Sequence, residues 1–81
     1  MKRPKYKIIE VWWYDPESID PWESIADLKI NDEPCYSVGM LLKENKNFIL
    51  ITLNFDPVNK NASCIMRIPK SCIRRRRWMK N

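Results

Sequence analysis

The chain has 81 residues, a net charge of +5, a single glycine, no histidine and three cysteines. This length allows one domain with a small core, because only about 60% of the unfolded surface of so short a chain is buried on folding. The missing histidine excludes histidine zinc sites and histidine-based catalytic triads, and one glycine is too few for a phosphate-binding loop.

The three cysteines, Cys35, Cys64 and Cys72, are widely spaced and odd in number. We interpret them as reduced, small hydrophobic residues of a cytoplasmic protein, with a site of three cysteines and one carboxylate around a metal as the alternative. No apolar run approaches the roughly 20 residues that span a membrane, and no segment has the features of a signal peptide. We therefore expect a cytoplasmic protein that needs no cofactor.

A predicted strand over residues 5–14 opens the chain, because apolar residues recur there at every second position. The side chains of a strand alternate between two faces, so Trp12 and Trp13 cannot both enter one core. We place Trp13 inside, since no charge lies in the middle of its face. Trp12 and Tyr14 then face outward beside Glu10.

A long connection follows at residues 15–34, with three prolines and seven acids, and is called the acidic loop below. The DPWE sequence at positions 20–23 has an acidic cap, a proline in the first turn and a glutamate three residues after the cap, which is typical of a helix start. We expect one or two helical turns through about Leu28. Trp22, Ile25 and Leu28 would form the side that docks on the core.

Four further strands are predicted after the acidic loop. They lie at about residues 35–44, 48–55 and 63–68 and from Ile73 onward, with turns at 45–47 and 56–61. Pro69 has no N–H for a strand ladder, so it should end the fourth strand and leave room for one 3₁₀ turn. This order of elements indicates an all-β fold, a five-stranded barrel of the SH3-like or Sm-like type, which removes exposed edges without a large core. Residues 1–81 would form one domain, with basic termini at about 1–5 and 74–81.

The arginine run at positions 74–77 should lie outside the core. Burying these charges without partners would cost several kcal/mol per ion. We expect Ile73 to be the last core residue, Arg74 and Arg76 to face one side, and Arg75 and Arg77 the other. The run would then lie at an edge or leave the barrel as a basic arm.

Several short motifs of this chain resemble those of a small protein family that recurs in bacteriophage genomes. They are W-x-D at 13–15, Trp22, DL at 27–28, SVG at 37–39, L-x-E at 42–44 and IPKS-x-I at 68–73. The resemblance covers about residues 9–75, and it implies the small barrel and a phage or prophage product that acts in the cytoplasm of an infected bacterium. It implies no catalytic or binding residue, and the basic ends lie outside the pattern.

Charge is segregated along the chain. Residues 1–9 carry four bases and no acid, residues 10–44 nine acids against two bases, and residues 45–81 nine bases against one acid. In the barrel the first and last strands would be close, so the two basic ends should converge and attract an anion, either nucleic acid or a nucleotide signal. The predicted anion-binding residues are Lys2, Arg3, Lys5, Lys70, Arg74, Arg75, Arg76 and Arg77. The alternatives are a solvated tail and arginines that pair with an acidic loop of a partner or of a neighbouring copy.

Four aromatic residues, Trp12, Tyr14, Trp22 and Trp78, are candidates for stacking or for an interface. Trp78 could stack on a base or dock over an open end of the barrel. Trp12 and Tyr14 could be covered by the acidic loop with Trp22, form a protein interface, or stack on nucleotides.

Two functions are consistent with this pattern. The first is a non-enzymatic module that binds an anion through its basic ends. The second is a protein-interaction module that inhibits or redirects a host protein, such as a defence protein, through the acidic loop with Trp12, Tyr14 and Trp22. A homo-oligomer is compatible with either, because loop and basic end could pair between copies. We expect no enzyme, since the serines lack a histidine base and the paired carboxylates lie in a loop without fixed geometry.

Overall fold

The fold is known from a computed structural model that describes residues 5–16, 18, 21–30 and 32–79. These residues form five strands and two single 3₁₀ turns. The strands are β1 (Ile8–Trp13), β2 (Cys35–Glu44), β3 (Phe48–Asp56), β4 (Asn61–Pro69) and β5 (Ile73–Trp78), and the turns are Ile25–Asp27 and Lys70–Cys72. The all-β prediction is confirmed, as is the 3₁₀ turn predicted between Pro69 and the last strand.

The strands form one antiparallel sheet in the order β4-β3-β2-β1-β5. The first four strands pair in chain order, through the acidic loop between β1 and β2 and through two hairpins after it, whereas β5 returns to pair with β1. Within the described residues, β4 and β5 are therefore the two edge strands of an open sheet. These pairings do not show that the sheet closes into a barrel, so the SH3-like or Sm-like barrel stays a prediction.

The core is small and lies on one face of β1, β3 and β4. Its buried apolar residues are Ile9, Val11, Ile49, Ile51 and Ile68. Trp13 packs against this cluster and donates a hydrogen bond from its indole Nε1 to Ser37 Oγ at 3.0 Å. The prediction that Trp13 faces inward is confirmed. Each of these side chains stabilises the fold by only about 1.5–3 kcal/mol on burial, so a core of this size leaves little margin.

Gly39 lies where β2 changes partners. The first half of β2 pairs with β1, and its second half, from Met40, pairs with β3. A Cβ atom on Gly39 would stand 2.8 Å from the backbone oxygen of Thr52. The single glycine of the chain is therefore required by the close approach of two strands.

The turn between β2 and β3 is held by Asn45. Its side-chain Oδ1 accepts hydrogen bonds from the backbone N–H groups of Asn47 and Phe48, both at 2.8 Å. We predicted an asparagine turn here because asparagine tolerates a positive φ. Among the described non-glycine residues, however, only Lys60 and Cys64 have a positive φ, so Asn45 closes the turn as a hydrogen-bond acceptor.

The acidic loop departs from the prediction in two ways. The one or two helical turns reduce to the 3₁₀ turn at Ile25–Asp27, which begins after Ser24 without a side-chain cap. The predicted docking side is wrong, because Trp22 is 102% exposed, Ile25 85% and Leu28 49%. A three-residue turn is too short to repay the cost of helix nucleation, and it presents no continuous apolar stripe to a core. The predicted cap at position 20 lies outside the described residues.

Candidate functional site

The arginine run forms strand β5 rather than a free arm. In the ladder with β1, Arg77 lies opposite Glu10, Arg76 opposite Val11 and Arg75 opposite Trp12. This pairing rules out the alternative that residues 74–78 form a solvated tail detached from the sheet. The backbone of β1 supplies the hydrogen bonds, and the edge position lets long charged side chains stay in water, so four consecutive arginines can occupy a strand without a buried charge. Of the two predicted placements, an edge or a free arm, the described residues show the edge.

Glu10 is the main anchor for the outer end of β5. Although charged, it is only 6% exposed. Its Oε1 accepts a hydrogen bond from the Tyr36 phenol at 2.5 Å, and its Oε2 accepts one from Arg77 Nε at 2.8 Å. These two donors, Tyr36 first, lower the pKa of Glu10, and the same hydrogen bond raises the pKa of Tyr36. Glu10 is therefore held ionised and fixes both partners.

Glu44 anchors two further bases of this edge, Lys70 and Arg76. Its Oε2 lies 2.9 Å from Lys70 Nζ and 3.1 Å from Arg76 Nη1. Hydrogen bonds from Lys70 and then Arg76 lower the pKa of Glu44. All three side chains are about one-third exposed, and such surface pairs contribute only about 0–1 kcal/mol. Glu44 therefore holds Lys70 and Arg76 only weakly.

Arg74 and Arg75 differ from their neighbours in having no carboxylate within ion-pair distance among the described residues. The guanidinium carbon of Arg75 lies 5.3 Å from the ring centre of Trp12. Arg74 donates a hydrogen bond to the Tyr14 hydroxyl at 2.9 Å, and that hydroxyl donates in turn to the backbone oxygen of Asp32. Both guanidinium groups are thus oriented by aromatic residues. Arg75 also interacts electrostatically with the Glu10 carboxylate, without forming an ion pair with it, and helps to lower the pKa of Glu10.

Trp12 and Tyr36 form a pair of aromatic rings on the same face of the sheet, called the ring pair below. The two residues lie opposite each other in the ladder between β1 and β2, which places their side chains on one face. Their ring centres are 5.1 Å apart, with planes inclined by 48°. Trp12 is partly buried between Tyr36 and Arg75, whereas Tyr36 is 52% exposed.

The predicted stacking residues are only partly brought together. Tyr14 and Trp12 lie beside β5, but Trp22 is fully exposed on the acidic loop and covers neither of them. Trp78 ends β5, is 50% exposed and has the ammonium group of Lys7 5.5 Å from its ring centre. The expectation that Trp22 folds over the outward rings is therefore wrong.

The two basic ends meet at the outer end of β5 in the described part of the chain. Trp78 lies opposite Ile9, and the N–H of Met79 donates to the backbone oxygen of Ile8 at 3.0 Å. The ammonium group of Lys5 is 5.6 Å from the Tyr6 ring centre, and that ring packs on Phe55. The other two predicted bases, Lys2 and Arg3, lie outside the described residues.

Three residues of this site were missed by sequence reasoning: Glu10 and Glu44 as anchors, and Tyr36 as a ring partner of Trp12. Tyr36 could have been found from the predicted strands, because pairing β1 with β2 around the acidic loop brings it opposite Trp12. The anchoring role of Glu10 had no local signal, since its partners lie 26 and 67 positions away.

Other kinds of site find little support in the described residues. They contain no group of three or more histidine, cysteine, aspartate or glutamate residues that could hold a metal, and no helix among them is long and apolar enough to span a membrane. No protein family, curated protein or solved structure matches the chain. Its function is therefore inferred from the geometry of the described side chains.

Proposed function

We propose that the protein is a non-enzymatic binding module whose basic edge strand β5 engages a polyanion, either nucleic acid or a nucleotide. The observation that carries this proposal is the placement of Arg74 and Arg75 on an open edge, held by Tyr14 and Trp12 and not paired with a carboxylate among the described residues. A planar guanidinium group presents donors that match the geometry of a phosphate. The contacts with Tyr14 and Trp12 orient the two guanidinium groups without neutralising their charge.

The charge balance of the edge sets the strength of this interaction. Five bases, Lys70 and Arg74 to Arg77, face two acids, Glu10 and Glu44, which leaves an excess of three positive charges. Binding that neutralises about three phosphates of a single strand gives a logarithmic salt slope of about −2, and on duplex DNA about −3. Five free bases would give slopes of about −3.5 and −4.5. The expected slopes are shallower because Glu10 and Glu44 already engage three of the five bases.

The proposed setting is the cytoplasm of a phage-infected bacterium, and the proposed fold is a small barrel. Support for the setting comes from the motifs shared with the phage family. Support for the barrel comes from the strand order and from β2, which pairs with β1 over one half and with β3 over the other. A strand shared in this way is what a sheet that folds back on itself requires.

The test compares two double variants of equal net charge. Arg74→Gln with Arg75→Gln removes the two unpaired guanidinium groups, whereas Lys29→Gln with Lys60→Asn removes two exposed charges elsewhere; asparagine suits the positive φ of Lys60. With labelled DNA, RNA and nucleotides at about 50 mM salt, the first variant should bind about tenfold more weakly or worse, since hydrogen bonds to charged groups contribute about 1.5–3 kcal/mol each. The second should bind like the parent chain. Equal weakening in both variants, or no binding by the parent chain, would refute the proposal.

A second candidate function is a protein-interaction module that acts through the acidic loop. It is favoured by the exposure of apolar side chains among acids: Trp22 is 102% exposed, Ile30 90% and Ile25 85%. Exposed aromatic residues of this kind concentrate binding energy at protein interfaces. This candidate predicts a bacterial protein that co-purifies with the chain after nuclease treatment and is lost on Trp22→Ala. Recovery of nucleic acid alone would count against it.

A further inference from the structure

We infer that the ligand of the basic edge is a single-stranded nucleic acid, one base of which stacks on the ring pair of Trp12 and Tyr36 while its phosphates follow β5. This inference rests on the proposed function and adds to it the ligand class and a second contact surface. The ring pair lies on the same face of the sheet as Glu10, Arg75 and Arg77. This face therefore presents aromatic rings and guanidinium groups side by side.

The exposed ring is oriented before any ligand arrives. Tyr36 is half exposed, yet its hydroxyl is tied to Glu10, which is itself almost fully buried and also holds Arg77. The ring plane is further constrained by contact with Trp12 at 5.1 Å. An aromatic side chain that is fixed at its tip and along one face loses little freedom when a flat ligand stacks on it.

The spacing of the strands suits one nucleotide. Neighbouring strands lie about 4.8 Å apart, so the step from β5 across β1 to Tyr36 on β2 is about 10 Å. A nucleotide whose phosphate lies at Arg75 or Arg77 can place its base over the ring pair across this distance. Arg75 lies on β5 beside the ring pair, with its guanidinium carbon 5.3 Å from the Trp12 ring centre. Its planar group can therefore contact the phosphate and the base of the same nucleotide.

A duplex cannot use this surface in the same way. Its bases are stacked inside the helix and offer no free ring face, whereas unpaired bases can be splayed onto aromatic side chains. A duplex would meet only the arginines. The basic edge should therefore contribute to the affinity for both single strands and duplexes, whereas the ring pair should contribute only to the affinity for single strands.

The experiment measures binding of a labelled 12-nucleotide single strand, the matching duplex and a mononucleotide by fluorescence anisotropy. Tyr36→Ala should weaken single-strand binding about 5- to 150-fold, the range that corresponds to loss of one stacking contact, and leave duplex binding and the salt slope unchanged. Tyr36→Phe, which keeps the ring, should retain most of the affinity. Val58→Ala is the control, because it truncates an exposed apolar side chain in the turn between β3 and β4.

The outcomes separate this inference from the proposed function. Equal loss on single strand and duplex, no loss on either, or a mononucleotide that binds as tightly as the 12-nucleotide strand would overturn the inference. In each of those cases the proposed function stands if Arg74→Gln with Arg75→Gln still weakens binding more than the charge-matched control does, and it falls if no anion binds at all. Should Tyr36→Ala fail to fold, Tyr36→Leu keeps an apolar side chain without a flat ring and should show the same selective loss.

Discussion

At the scale of single residues, Glu10 links the fold to the candidate site. It is the one strongly buried acid among the described residues, and it ties β2 to β5 across β1 through Tyr36 and Arg77. An acid in this position stays ionised because two donors satisfy both of its oxygens. Its removal should therefore disturb stability and ligand binding together.

Glu10 makes stability depend on pH in a defined direction. Its folded pKa lies below the ordinary value of 4.5, so its contribution is present above about that pH and is lost as the pH falls through the folded pKa. We expect Glu10→Gln to lower the melting temperature at pH 7, and the difference from the parent chain to shrink as the pH falls below about 4.5. A difference that is constant with pH in thermal unfolding followed by circular dichroism would contradict this assignment.

Gly39 provides a second test at the residue scale. Gly39→Ala forces a methyl group against the backbone oxygen of Thr52, which a side-chain rotation cannot relieve. We expect a loss of about 1–3 kcal/mol, as in other overpacked sites, measured by urea unfolding. Ser63→Ala, at an exposed position of β4, should change stability by no more than about 0.5 kcal/mol. Similar values for both variants would show that the strand crossing tolerates a side chain.

Residue-level prediction from the sequence succeeded where the signal was local. The inward position of Trp13 followed from a strand face with no charge in its middle, and the end of β4 followed from the missing N–H of Pro69. The partners of Glu10 could not be predicted, because alternation assigns a face but not the residues that meet across it. Which residues meet depends on the register of the strands. Between β1 and β5 this register shifts at a bulge between Trp12 and Trp13, and the sequence pattern does not reveal the shift.

At the scale of elements, all five predicted strands exist, and β2 has the predicted bounds of Cys35–Glu44. Alternation every second residue and turn residues were sufficient for this. The fate of the arginine run was harder to predict, since its charges argue against a strand in isolation. It forms β5 because β1 offers a free edge and because two carboxylates and two aromatic rings receive its side chains.

In the acidic loop the local sequence predicted a helix, but only a 3₁₀ turn forms, because none of the residues of the turn is buried against the sheet. Because Trp22 is fully exposed and Trp13 contacts the core, the two tryptophans should respond differently to truncation. We expect Trp22→Ala to change the free energy of unfolding by no more than about 0.5 kcal/mol and Trp13→Ala to lower it by about 3–5 kcal/mol. A comparable loss in Trp22→Ala would mean that the loop docks on the sheet after all.

At the scale of the whole molecule, the chain exposes more surface than a compact protein of its mass. Its accessible surface is 7237 Å², against about 5,200 Å² for a typical monomer of this mass. Its radius of gyration is 16.3 Å, against about 12 Å. Exposed apolar residues on the acidic loop and on β3 and β4, such as Leu53 and Ile65, account for part of the excess.

A second copy is one partner that the charge layout would allow. If the acidic loop of one copy meets β5 of another, the mass in light scattering should exceed that of the 9.8 kDa monomer at about 50 mM salt. It should fall toward the monomer at about 500 mM, because exposed charges are screened within a few ångströms there. A mass that does not change with salt would exclude this electrostatic association.

The most direct test of the account is a map of the ligand on the chain itself, by NMR titration of the labelled protein with a 12-nucleotide single strand. We predict that the backbone amides of Arg74 to Trp78, the amide of Tyr36 and the indole N–H of Trp12 shift together with one affinity, and that this affinity falls with salt. Shifts confined to the acidic loop or to β4, with β5 unchanged, would contradict the claim that the basic edge strand is the binding surface.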